Sequence, residues 1–127
     1  MSRKRPEFTP LELEIMNVLW ATGPANVQTV QAGLKGRELA YTTVQTMLNV
    51  LHRKGRVQRQ LKDRAYLYRP VLSRQKAVRQ AVGEMLDRFF GGSADSLVLS
   101  LVEARQLTPE RLAELQKLIE EGKDDER

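Results

Sequence analysis

The sequence predicts a mainly α protein: a winged helix-turn-helix, made of three helices and a β-hairpin wing, followed by a three-helix C-terminal dimerisation element. Three observations point to it. Helical stripes with legible start and stop signals fill residues 9–54. Two short alternating runs follow at once across a polar turn. A second set of helical stripes, of different charge, occupies the remainder.

The first helix starts at Thr9-Pro10-Leu11-Glu12, with Thr9 as N-cap, Pro10 in the first helical position and Glu12 closing a capping box. It is expected to run to about Trp20. Its apolar residues Leu11, Leu13, Ile15, Met16, Val18, Leu19 and Trp20 cover more than one stripe, which predicts burial on two sides. Gly23-Pro24 ends it, and Asn26 caps a second helix reaching Leu34, with Val27, Val30 and Leu34 facing inward. Residues 33–37 form the break after it. The third helix, 41–54, is stopped by Gly55; Val44, Met47, Leu48 and Leu51 recur at i, i+3, i+4, i+7 and line one face. Residues 57–61 and 65–69 then read as two strands around the turn Lys62-Asp63-Arg64, with Pro70 closing the unit. Tyr66 and Tyr68 alternate on one strand face and read as packing residues.

Ser73 caps a fourth helix whose stripe Ala77, Val78, Ala81, Val82, Met85, Leu86 and Phe89 runs to Gly91-Gly92. Ser93 restarts a short helix to about Ala104. Thr108-Pro109 starts the last, which carries Leu112, Leu115, Leu118 and Ile119. Residues 122–127 are expected to be a charged, frayed tail. The domains are therefore 1–72, a winged helix, and 73–127, a helical dimerisation part. The second amounts to only about 50 residues, too few for a well-sealed core of its own, so its stripes need a partner surface. The cheapest partner is the same element on a second copy. Val78, Val82, Met85, Leu86, Phe89, Leu97, Leu101, Leu112, Leu115 and Ile119 are the dimer candidates.

Composition narrows the function. At 127 residues, with 41% hydrophobic and 29% charged residues, the chain has the make-up of a globular domain. No apolar stretch approaches the ~20 residues that span a bilayer, and no secretory signal follows the basic N-terminus, so no membrane insertion is expected. There is no cysteine, hence no disulfide, thiolate site or cysteine nucleophile, which fits a cytoplasmic setting. A lone histidine, His52, cannot build a multi-ligand metal site. No nucleophile elbow, phosphate loop or dinucleotide fingerprint is present, so neither catalysis nor a cofactor is expected.

The net charge of +5 divides unevenly: residues 1–72 hold 12 Lys+Arg against 5 Asp+Glu, whereas 73–127 hold 9 against 11. The basic half is suited to a polyanion. Within it, residues 39–62 contain no carboxylate at all. An ordinary solvated helix mixes Glu with Lys; the polar face here offers uncharged hydrogen-bonding groups followed by cations. Those groups read base edges and neutralise phosphates in double-stranded DNA. Thr42, Thr43, Gln45, Thr46 and Asn49 are the base-reading candidates, with Gln45 and Asn49 suited to a bidentate adenine contact. Tyr41, Arg53, Lys54, Arg56, Arg59, Lys62 and Arg64 are the backbone candidates.

These motifs together resemble the penicillinase-repressor family, small winged-helix regulators of β-lactamase and methicillin-resistance operons. The likeness rests on Leu13-Glu14-Ile15-Met16 with Val18-Leu19-Trp20, on 40–48 (AYTTVQTML), on Lys54-Gly55 leading to Tyr66-Leu67-Tyr68, and on Phe90-Gly91-Gly92-Ser93 with Ser96-Leu97-Val98. It implies a homodimeric repressor on a palindromic operator. It also implies, for members paired with a membrane-bound sensor protease, release by a cut that falls here at Ser100-Leu101. Ser100 stands where the cleaved members carry Asn. Release by a small ligand without a cut is the alternative, and copper sensing is disfavoured because the cysteines of the copper-responsive relatives are missing.

Overall fold

The computed structural model describes residues 8–125. Its elements are α1 (Pro10–Thr22), α2 (Val27–Gly33), α3 (Tyr41–Arg53), β1 (Val57–Lys62), β2 (Ala65–Pro70), α4 (Arg74–Phe90), α5 (Ala94–Glu103) and α6 (Pro109–Asp125). Two compact units meet between Val78 and Arg79, which groups the first turn of α4 with the elements before it.

Local chemistry sets the helix ends of the first unit. The Thr9 backbone N–H donates to Glu12 Oε1 at 2.8 Å, and the Glu12 N–H donates to Thr9 Oγ1 at 3.2 Å, a complete capping box. Asn26 Oδ1 accepts from the Thr29 N–H at 2.9 Å to start α2. α3 closes at Gly55, whose φ of +75° lets the Arg56 N–H return to the Leu51 carbonyl at 2.9 Å and its own N–H to His52 at 3.0 Å. That pair of bonds is a Schellman motif, so Lys54 is the cap and not the last helical residue.

The hairpin is antiparallel, with Val57 opposite Pro70 and Lys62 opposite Ala65, so the loop is the two residues Asp63 and Arg64. Both have positive φ, 51° and 67°, the pattern of a two-residue hairpin turn. A third piece of backbone joins the hairpin at one point: Ala25, between α1 and α2, exchanges hydrogen bonds with Tyr68 at 2.9 and 2.8 Å. The core gathers Ile15, Met16 and Leu19 from α1, Val27 and Val30 from α2, Leu34, the α3 residues Val44, Leu48 and Leu51, and Val57 and Tyr68 from the hairpin. Each fully buried aliphatic contributes about 1.5–3 kcal/mol relative to exposure. The Trp20 indole N–H donates to the Leu72 carbonyl at 3.0 Å, tying α1 to the segment after the hairpin.

Two expectations are corrected. Leu13 is 42% exposed and not part of a second buried side of α1, because no element of this unit covers that flank. α6 continues through Gly122 to Asp125 where a frayed tail was expected; a single glycine costs a helix only about 1 kcal/mol, and helix-forming neighbours carry it across. Residues 126 and 127 lie outside the described residues.

In the second unit, Ser93 Oγ accepts from the Ser96 N–H at 3.1 Å to start α5, and Thr108 Oγ1 accepts from the Arg111 N–H at 3.1 Å to start α6. No residue of α4 or α5 is buried. Val82, Met85, Phe89, Leu112 and Ile119 are exposed, with Phe89 at 73%, as is Val78 at the end of the first unit. Leu86, Leu97, Leu101 and Leu115 are half-buried. Leu99 and Leu118 are exposed as well and extend the apolar surface beyond the residues chosen from the stripes.

Candidate nucleic-acid interface

The core face of α3 dictates its outer face. With Val44, Leu48 and Leu51 fully buried, Tyr41, Thr42, Thr43, Gln45, Thr46 and Arg53 are exposed and Asn49 is half-buried beside them. The face is uncharged from Thr42 to Asn49 and turns cationic at Arg53. Lys62 and Arg64 stand exposed at the wing tip, and among the described residues no side chain pairs with either, or with Arg53.

The remaining cations are differently placed. Lys54 Nζ donates at 2.7 Å to Oε2 of Glu12, a carboxylate only 1% exposed. Burial pushes the Glu12 pKa up, but hydrogen bonds from Lys54 and from Thr9, with the attraction of the Lys54 charge, outweigh it and leave the group below its ordinary value. The Arg56 guanidinium lies 4.2 Å from the centre of the Phe8 ring. Arg59 Nη1 donates to Asn49 Oδ1 at 2.9 Å, and the Tyr68 hydroxyl donates to the same oxygen at 3.2 Å. The Arg59 guanidinium also lies 4.3 Å from the centre of the Tyr66 ring.

Sequence reading therefore grouped cations that the fold separates. It saw Glu12 as a cap and missed its second role as the buried partner of Lys54. It also missed the contact between Asn49 and Arg59. A signal for that contact existed: once the turn is placed at Asp63-Arg64, the register puts Arg59 opposite Tyr68. Among the described residues no cluster of three metal-ligating side chains occurs, and no helix is long and apolar enough to cross a membrane. The crevice between Phe8, Trp20, Arg56 and Leu72 has room for about one water molecule and is far too small for a ligand pocket.

The sequence pattern described as "Penicillinase repressor" matches residues 8–121. The chain belongs to the penicillinase repressor family. Within that family it is 32% identical to the penicillinase repressor of Bacillus licheniformis over 122 residues, 95% of each chain. It is also 37% identical to the transcriptional regulator BlaI of Mycobacterium tuberculosis over 99 residues, 73% of this chain and 70% of that one. The solved DNA-binding domain of the repressor BlaI, 31% identical, superposes with a TM-score of 0.50 on 57% of this chain and 90% of its own. Ser100 is exposed and Leu101 half-buried, and the bond between them lies inside the continuous helix α5.

Proposed function

We propose that the chain is a DNA-binding transcriptional repressor that acts as a homodimer on a palindromic operator. The observation that carries this reading is the exposed, acid-free face of α3, with Thr42, Thr43, Gln45 and Thr46 in one patch and the exposed cations Arg53, Lys62 and Arg64, unpaired among the described residues, around it. Uncharged donors and acceptors on a helix read base edges in the major groove, and the cations hold phosphates on either side. Tyr41, at the start of α3, packs on the sugar-phosphate backbone. The family and the names of its relatives support repression of a β-lactamase or methicillin-resistance type of operon in the cytoplasm.

Residues 1–72 supply recognition and 73–127 supply symmetry. The exposed apolar residues of α4 and α6 face a second copy, and the two-fold axis sets two α3 helices about one DNA turn, ~34 Å, apart. Release by a membrane-bound sensor protease would require α5 to open locally, because a helical peptide bond does not fit a protease cleft. In induced cells a fragment ending at Ser100 is expected. Full-length chain alone in derepressed cells would rule the cut out.

Binding isotherms over a range of salt concentrations test the recognition face. Gln45→Ala is expected to cost about 1–3 kcal/mol on the cognate operator and to relax the base preference at one position. Arg64→Ala is expected to weaken all duplexes alike and to lower the slope of log affinity against log salt by about one. Unchanged binding by both variants would remove this face from the interface.

A further inference from the structure

We propose that Asn49, Arg59 and Tyr68 form a brace that holds the wing at a set angle to α3, so that Arg59 acts as a positioning residue and Asn49 is withdrawn from base reading. The inference rests on the DNA-binding reading above and changes the role of two of its residues. Two donors, Arg59 Nη1 and the Tyr68 hydroxyl, converge on Asn49 Oδ1 at 2.9 and 3.2 Å. They occupy both lone pairs of that oxygen. A bidentate adenine contact needs an acceptor site on the same oxygen, so Asn49 could make it only by giving up at least one of these bonds and turning its amide away from the wing. Arg59 is half-buried, and its guanidinium plane lies 4.3 Å from the centre of the Tyr66 ring, which in turn is 6.2 Å from the ring of Tyr68.

The placement follows from the hairpin register. Val57, Arg59 and Leu61 share one face of the wing with Pro70, Tyr68 and Tyr66 opposite them. Val57 and Tyr68 at the base of that face are buried in the core. Residues 60–65, beyond Arg59, are exposed. A two-stranded hairpin is marginally stable by itself, so the exposed tip takes its direction from whatever fixes the strands further in. Arg59 is that link from β1 to α3. Lys62 and Arg64 depend on it to meet the phosphates flanking the groove that α3 enters.

A planar guanidinium can stack on Tyr66 and donate to Asn49 together; an ammonium cannot do both. Arg59→Lys therefore separates the brace from a phosphate contact, since lysine serves a phosphate well. The variants Arg59→Lys, Arg59→Gln, Asn49→Ala and the double variant Arg59→Lys/Asn49→Ala are compared in the full chain by two readouts. One is amide hydrogen exchange along the wing of the free protein. The other is binding, over a salt series, to a random-sequence duplex pool and to the duplex that the wild-type chain selects from it.

The brace predicts faster wing exchange for Arg59→Lys and for Asn49→Ala, each with an affinity loss of about tenfold on the selected duplex. The double variant should be no weaker than either single one, and the salt slope should stay at its wild-type value. Arg59→Lys with wild-type exchange and affinity, beside an Arg59→Gln whose salt slope falls by about one, would make Arg59 a phosphate contact and overturn the brace. Asn49→Ala with unchanged exchange and an altered preference at one base would overturn it from the other side. If the wild-type chain binds neither duplex in a salt-dependent way, the DNA reading falls and the proposed role in DNA recognition falls with it. Unmoved wing exchange overturns the brace alone.

Discussion

At the scale of single residues, the Glu12–Lys54 pair shows how one carboxylate is used twice. Glu12 closes the capping box with Thr9 at the start of α1 through Oε1 and takes Lys54, at the end of α3, through Oε2. A buried charge of this kind is tolerated only because its hydrogen bonds are complete. Removing Lys54 leaves the carboxylate buried without its partner. Lys54→Ala is expected to cost about 3 kcal/mol in chemical denaturation, far more than loss of an exposed cation. The pH dependence has a definite sign. The folded pKa of Glu12 lies below its ordinary value of 4.5, so its contribution is present above that pH and is lost as pH falls through the folded value. Glu12→Gln should flatten the acid side of the curve of stability against pH. A curve of unchanged steepness would assign the acid sensitivity to other groups.

At the scale of elements, what was legible in the sequence was what is decided within a few residues. Thr9, Asn26, Ser73, Ser93 and Thr108 announced helix starts because an N-cap acts on an amide three residues on. Gly55 announced the end of α3 because its positive φ is a local demand. Leu13 was misread because periodicity counts apolar residues without saying which flank has a neighbour. The Ala25 bridge to Tyr68 and the Asn49–Arg59 contact were hidden because each depends on pairing between separate elements. Gly33 shows the same distinction. It is helical, and its role is space: a Cβ there would come within 2.8 Å of Val18 Cγ1, where α1 and α2 cross. Val18 is β-branched and has little rotamer freedom to yield. Gly33→Ala should therefore destabilise the first unit by about 1–2 kcal/mol in spite of the better helix propensity of alanine. A raised melting temperature would mean that the crossing relaxes freely. At the wing, Arg64 holds a φ of +67° that glycine would adopt without strain. Arg64→Gly should keep or raise stability by up to about 1 kcal/mol while it weakens every duplex alike, which separates the charge of Arg64 from any part in folding.

At the scale of the whole molecule, the two units differ in what they need. The buried apolar core lies between residues 15 and 68, so the first unit carries its own core together with the Trp20 bond to Leu72. Among the described residues the second carries none: α4 and α5 bury no residue, and Phe89, Leu99, Leu118 and Ile119 are each more than half exposed. Apolar surface on that scale marks an interaction site, which the homodimer proposed above would cover. The charge division agrees, since the basic half is the one with the complete core and the slightly acidic half is the one that lacks it. Removing residues 79–127 is therefore expected to leave a folded winged helix that unfolds cooperatively and sediments as a monomer. Its affinity for a single half-site should match that of the full chain, because α3 and the wing are untouched. Its affinity for the two-site palindrome should fall roughly 10²-fold or more, because the second half-site is no longer delivered at high effective concentration. Phe89→Glu in the full chain should reproduce the loss without lowering the stability of the first unit, since Phe89 lies outside that unit and 73% exposed. Sedimentation decides both. A truncated chain that remains a dimer would place the two-fold contact on the winged helix itself, and a Phe89→Glu chain that remains one would move it off the exposed face of α4.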